Sequence, residues 1–277
     1  MLLGLFVTGC RGSEPFDKIT RAATPEAFNY VAPLSSRAAS TVYNDAGYYI
    51  VFDDENKVAS VTISNLRVPG YDQPRTLTFV DVPMDYTSNN HMVERMIKAE
   101  SLVSHDPING GTEITEVTIV YIQSNSLDPN PTDGIYARFV IDGAYLVTAY
   151  PYDVFGEGTT RIDDLENLTT AYDYNTTYHL TLDPSTMTAD MEVANLSVGG
   201  WKGNVTVKGL KLTLVDDGYE VEFGPSTSVD AEIPLEIDRF SGVADLRKRL
   251  DIDFDLRAQG VGEFRIASFL TPVLSLE

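Results

Sequence analysis

Residues 195–214 read NLSVGGWKGNVTVKGLKLTL, and residues 65–84 read NLRVPGYDQPRTLTFVDVPM. Asn195, Leu196, Val198 and Gly200 repeat Asn65, Leu66, Val68 and Gly70 as residue types, and the single tryptophan, Trp201, stands where the earlier stretch has Tyr71. Within each stretch the apolar residues alternate and then change parity. Leu77 and Phe79 give way to Val80, Val82 and Met84; Val205 and Val207 give way to Leu210, Leu212 and Leu214 after Gly209. Successive side chains of a strand point to opposite faces, so a slip of one residue would turn every later side chain to the wrong side. An extra residue in a β-bulge restores the register, and glycine suits such a bulge. The two stretches are therefore read as equivalent strand pairs, each with a bulge near Phe79 or Gly209.

The correspondence extends outward from both stretches. Tyr48, Ile50 and Phe52, closed by Asp53, match Tyr178, Leu180 and Leu182, closed by Asp183. Ala59, Val61 and Ile63 match Ala189, Met191 and Val193, and towards the end Tyr145, Val147 and Tyr150 match Phe264, Ile266 and Phe269. Alternation of this kind, bounded by Asp, Asn and Gly, is a strand pattern. It predicts an all-β chain, a tandem duplication over 39–158 and 168–277, each copy a roughly seven-stranded antiparallel barrel or sandwich. Residues 89–103, NNHMVERMIKAESLV, also carry helical spacing at Met92, Val93, Met96 and Ile97. The segment read as their counterpart, SVDAEIPLEI at 228–237, alternates strictly, so a strand is expected in both.

The length of 277 residues allows one large β domain or two ordinary ones, and 43% hydrophobic residues suffice for a core. A net charge of −21 excludes a sequence-independent grip on nucleic acid and docking on anionic lipid through a basic face. One cysteine excludes an internal disulfide and a thiolate metal cluster. That cysteine follows an apolar run, MLLGLFVTGC, and Val7-Thr8-Gly9-Cys10 resembles the lipobox of bacterial lipoproteins. The resemblance implies a signal segment over 1–9 and a lipidated Cys10 as membrane anchor. No other run approaches the roughly 20 apolar residues of a membrane-spanning helix. Residues 10–38, rich in Ala, Ser and Pro without sustained period, read as a flexible tether with a reach of roughly 30 Å.

Candidate chemistry is sparse. His91, His105 and His179 share no metal-ligand spacing and are expected on the surface, and the Asp128 segment reads as a proline-rich turn. Asp251, Asp253 and Asp255 project from one strand face roughly 7 Å apart, which suits calcium or basic neighbours; a solvated face is the expectation. No nucleophile elbow, phosphate loop or dinucleotide fingerprint occurs, so no catalytic residue and no cofactor are assigned. Trp201 and Tyr71 sit at glycine-bearing turns. Each ring is either a platform for a sugar or a partner surface, or a plug over its own sheet, and the plug is the expectation.

The lipobox, the tether and the repeated Tyr-x-Ile/Leu-x-Phe/Leu-Asp and Asn-Leu-x-Val-x-Gly patterns resemble the calycin-like β-barrel lipoproteins of gut Bacteroidetes. The resemblance implies an outer-membrane lipoprotein of the cell envelope with a barrel or curved sandwich, and it brings no catalytic residues. The expected function is a non-enzymatic binding or interaction module whose ligand is a glycan, a lipid or a protein. The alternatives are a structural component of an adhesive or fibre-like assembly, and a carbohydrate-active enzyme with two convergent carboxylates. A cavity inside a repeat would favour ligand binding, and a filled interior would favour assembly.

Overall fold

The structure, a computed structural model, describes residues 20–36, 39–88, 92–105, 111–124, 133–215, 218–245 and 250–270. The first half holds β1 (Thr20–Ala23), β2 (Ala27–Pro33), β3 (Thr41–Tyr43), β4 (Gly47–Asp53), β5 (Val58–Leu66), β6 (Arg75–Pro83), β7 (Asp85–Ser88), β8 (Met92–Val103), β9 (Glu113–Ser124), β10 (Asp133–Ile141) and β11 (Tyr145–Pro151). Its sheets run β1-β4-β5-β6 and β7-β8-β9-β10-β11-β2-β3, antiparallel throughout. Met84 joins β6 to β7, and residues 24–26 join β1 to β2. Each pair is thus one bent strand that serves both sheets, and the two bends close a ring of eight strand positions. Apolar residues at alternate positions of each strand turn into this ring, as the burial of Tyr48, Ile50 and Phe52 in β4 shows.

The second half holds β12 (Asp153–Glu157), β13 (Thr159–Asp164), β14 (Thr169–Asp173), β15 (Thr177–Asp183), β16 (Thr188–Val198), β17 (Trp201–Val215), β18 (Gly218–Glu222), β19 (Ser228–Ala231), β20 (Leu235–Asp245), β21 (Leu250–Ala258) and β22 (Gly262–Leu270). Their order, β12-β15-β16-β17-β18-β20-β21-β22-β13-β14, follows the same ring, with β19 added against β17. The long β17 covers the ground of β6 and β7, and β12 with β13 that of β1 with β2.

The bulges recur as well. Asn65 and Asn195 have φ of 54° and 59° at the first irregularity of their ladders. Asparagine tolerates this left-handed conformation better than most side chains, which gives its repetition a backbone reason. At the second irregularity Asp81 and Gly209 have φ of 51° and 67°. The Asp81 N–H donates to Ser60 Oγ at 3.2 Å, and the Gly209 N–H to Asp190 Oδ1 at 2.8 Å, so the residue opposite the bulge satisfies it in both halves. Val61 pairs Phe79 and Ala59 pairs Val82, just as Met191 pairs Val207 and Ala189 pairs Leu210. Phe79 is therefore equivalent to Val207, two places from the ungapped alignment, because the connection after Tyr71 is longer than that after Trp201. Val80 lies in the bulge and is exposed, not core.

Other expectations change. Residues 20–33, read as tether, form β1 and β2, and β2 lies between β3 and β11 with nearly every residue buried. Omitting this bent strand is what gave seven positions instead of eight. Likewise β12 and β13, residues 153–164, belong to the second ring, so the first ends at Pro151 and not at 158. Residues 92–103 are a strand, but by ring order the counterpart of β8 is β18 and not residues 228–237. The latter divide at Pro234, which has no N–H to give to a ladder. Cys10, with residues 1–19, lies outside the described residues.

The two rings are packed together. Phe28 and Tyr30 of β2, Val120 of β9, Tyr136 of β10 and Tyr150 of β11 point out of the first ring and join one apolar cluster with Leu214, Tyr219 and Ala244 of the second. This face covers the end of the second ring where Val215 of β17 pairs Gly218 of β18. There the Tyr150 hydroxyl lies within hydrogen-bond reach of the carbonyls of Val215 and Gly218, the latter at 2.9 Å, with one proton to donate to either, and its ring meets Tyr219 edge-on at 6.1 Å.

Candidate functional site

The same end of the first ring is built differently. Tyr86 pairs Arg95 as Leu214 pairs Tyr219, so Arg95 occupies the place of Tyr219. Arg95 is almost wholly buried on β8. Its Nε and Nη2 donate to the two carboxylate oxygens of Asp54, each at 2.7 Å, and Nη1 donates to Gln123 Oε1 at 3.3 Å. The guanidinium lies 4.5 Å from the Phe52 ring centroid and 5.6 Å from that of Tyr86, and Phe52 stacks on Tyr121 at 4.9 Å. A bidentate carboxylate on one side and aromatic faces on the other are the surroundings in which a buried guanidinium is tolerated. Sequence reading missed this cluster, since an arginine on the inward parity of a strand is legible only once its register is known.

A second buried polar device lies where each bent first strand passes between the sheets. Tyr48 donates to Asn29 Oδ1 at 2.5 Å, and the Tyr178 hydroxyl meets Thr160 Oγ1 at 2.9 Å. Asn29 and Thr160 are equivalent, as each faces the last strand of its ring, at Ala149 and Ser268 respectively. Burial pushes both phenols up, only partly opposed by side-chain hydrogen bonds, so both stay neutral. The repetition of Tyr48 at Tyr178 was visible in the sequence; its polar partner was not.

Trp201 and Tyr71 lie at the opposite end of the rings. Tyr71 is half-buried against its own ring, and the Arg75 guanidinium sits 3.7 Å from its centroid. Trp201 is half-buried against the second ring and folds over Gly203, where an added methyl would come within 2.3 Å of its ring. By ladder position Arg75 and Gly203 are equivalent, facing Leu66 and Leu196. In both halves the aromatic lies back on the start of the next strand.

Of the Asp251, Asp253 and Asp255 row, Asp253 and Asp255 face arginines. Asp253 accepts from Arg239, and Asp255 accepts from Arg265 at 2.8 and 3.1 Å with Arg239 at 3.4 Å. The Arg265 hydrogen bonds, more than any other influence, hold the Asp255 carboxyl below the usual range. On the same sheet Arg257 contacts Glu263 at 2.7 Å and Asp238 at 3.3 Å. Among the described residues no group of three or more His, Cys, Asp or Glu is placed to hold a metal ion. The row is an ion-pair lattice. His179 lies on the outside as expected, its Nε2 2.9 Å from Asp153 Oδ1 and its ring stacked on Phe155 at 3.9 Å. His91 and Asp128 lie outside the described residues.

No protein-family model matches the chain, and no curated protein matches it. Among solved structures it aligns with transferrin binding protein B of Neisseria meningitidis serogroup B at 8% identity and a TM-score of 0.24, covering 82% of this chain and 66% of that one. A double mutant of the vaccine antigen transferrin binding protein B of Haemophilus parasuis Hp5 aligns at the same identity and score, covering 90% and 75%. The chain thus spans just under two thirds of the meningococcal protein. Scores this low carry no argument about this chain.

Proposed function

We propose that this chain is an envelope-anchored, non-enzymatic interaction module, a duplicated β-barrel unit that meets a macromolecular partner, protein or glycan, on its outer surface. The supporting observation is that the interiors are occupied by side chains, which disfavours a ligand held inside a ring and leaves the outer surface for a partner, or for assembly with other molecules. Phe139, Ile63 and Leu77 fill the first ring and Tyr178, Phe254 and Phe264 the second, all at 2% exposure or less. A barrel of eight strands can be filled by its own side chains or hold one small ligand, and these buried side chains favour the filled form. Apolar inside and charged outside is also the reverse of a barrel that faces lipid. Cys10 supplies the membrane anchor in this reading, placing the protein at the bacterial outer membrane. Tyr71 and Trp201 act as plugs over their own rings, with their exposed edges the part left for a partner.

Native mass spectrometry of protein extracted from membranes tests this. The expected species begins at an acylated Cys10 and carries no other small molecule. A stoichiometric lipid or oligosaccharide retained within the fold would overturn the exterior-binding reading, and an unacylated Cys10 would overturn the anchor.

A further inference from the structure

Four of the twelve large apolar side chains exposed among the described residues fall within ten positions: Leu165, Leu168, Tyr172 and Tyr174. They belong to the β13–β14 hairpin and the residues that follow it. β14 pairs β13 on one side and, among the described residues, nothing on the other. Its sequence, TTAYD, has strand-favouring Thr169, Thr170 and Tyr172 and, apart from Asp173 at its end, no charge, proline or bulge to guard the open edge. Its counterpart β3 is shorter, and Val42 and Tyr43 there pack against the cores.

The turn at the hairpin tip points the same way. Three turns share one design, in which Asp53, Asp164 or Asp183 accepts backbone N–H groups and the fifth residue adopts a left-handed conformation. In two of them that residue, Lys57 or Met187, gives its carbonyl to the N–H of Met84 or Leu212. Met187 also packs on the core. In the third the residue is Leu168, at φ 54° and 88% exposed. Lys57 and Met187 hold the same conformation, so it is the exposure of an apolar side chain that sets Leu168 apart, and glycine or asparagine would hold the turn without it. Local folding gives no reason for this leucine.

We infer that the β14 edge is a docking site for an extended strand of another protein, one that alternates apolar and basic side chains. This rests on the exterior-binding reading and names its site. The free edge supplies backbone pairing, with Tyr172 on the strand and Leu168 at the hairpin tip beside it as exposed apolar contacts. Residues 159–175 carry four carboxylates, Asp163, Asp164, Glu166 and Asp173, against one arginine, Arg161. Asp163 and Asp164 are held ionised, chiefly by hydrogen bonds from Thr170 and Asn167. The same carboxylates disfavour a second copy, since two β14 strands side by side would bring eight of them together in a chain that already carries a charge of −21.

Amide hydrogen exchange of the full chain tests the assignment, with a short alternating Lys-Val peptide as probe and a Glu-Val peptide as control. The expected result is that Lys-Val slows exchange over 169–173 by about tenfold or more while Glu-Val does not. Leu168→Gly, which relaxes the turn and so keeps the fold, should remove most of that protection. Equal protection by both peptides, or none at millimolar Lys-Val, overturns the assignment. So does a dimer in analytical ultracentrifugation that Leu168→Gly dissolves, since the edge then belongs to a second copy. Protection by the probe elsewhere on the surface, with 169–173 unchanged, overturns this site and leaves exterior binding standing.

Discussion

The last two strands of each ring occupy the same place in the fold and present opposite surfaces. In the first ring, β10 and β11 turn Tyr136 and Tyr150 outward, and both are buried against the second ring. In the second, β21 and β22 turn Asp253, Asp255 and Arg265 outward into the ion-pair lattice. One architecture thus serves as a docking face in one copy and a solvent face in the other. The asymmetry makes the stack finite. A third unit placed on β21 and β22 would have to desolvate paired charges without better partners, which costs more than it returns.

The largest effect is expected at the docking face. Tyr150 is fully buried and bonds across the interface, so Tyr150→Ala should cost roughly 3–5 kcal/mol. Urea unfolding should divide into two transitions as the rings lose their mutual support, and Tyr150→Phe should lose only about 1 kcal/mol. A single transition at an unchanged midpoint for the alanine variant would show that this face does not hold the rings together.

That face also marks where the sequence was legible and where it was not. DIDFDLRA alternates because one side of β21 is wet, and its strand and faces could be read directly. IYARFVI in β10 is nearly continuous in apolar residues because both sides are covered, and parity cannot then say which side meets what. β2 has the same property, and its run AFNYVAP, short and next to prolines, passed for tether. The repeated Asn65 and Asn195 and the bulges were accessible because each leaves a local mark, whereas the strand at 92–103 carries helical spacing of its own and was reached through a counterpart that the ring order does not support. Arg95 with Asp54, and Asn29 with Tyr48, are 41 and 19 positions apart and meet only through register.

The second comparison sets Arg95 against Tyr219, equivalent positions of which only Tyr219 is covered by another ring. Arg95→Ala should cost about 3 kcal/mol, the lower end for breaking a buried pair, because Asp54 keeps 25% of its side chain in water. A double-mutant cycle with Asp54→Ala should show strong coupling in chemical denaturation. Additive losses would mean that the aromatic faces of Phe52 and Tyr86, not the carboxylate, hold the guanidinium.

Smaller effects are expected at the paired bulges. Ser60→Ala and Asp190→Ala each remove one acceptor from a bulge amide and should cost about 1 kcal/mol. Gly209→Ala should exceed Asp81→Ala, because a methyl at Gly209 would lie 2.8 Å from the Ser226 carbonyl oxygen in a left-handed backbone. Asp81 already carries a side chain in that conformation. Equal losses at the two positions in thermal denaturation would show that the Ser226 carbonyl does not set the second bulge apart from the first.

The smallest effect separates the charged face from the apolar one by its pH dependence. Asp255 is held below its ordinary range in the folded chain, first by the Arg265 hydrogen bonds. Its contribution is therefore fully present above the unfolded carboxyl value of about 3.9 and is lost as pH falls through the lower folded value. Asp255 and Arg265 are 23% and 45% exposed, so screening keeps the pair to about 1 kcal/mol or less. Arg265→Met should lower the melting temperature slightly at pH 7, less in high salt, and should flatten the decline in stability below about pH 4. Tyr150→Ala should leave that acid limb as steep as in the parent chain, since no charge is removed. If Arg265→Met leaves the acid limb unchanged too, the lattice adds nothing to folding. Its charges would then matter only through the desolvation they impose on anything that tries to stack there, which is the role the asymmetry of the two rings assigns them.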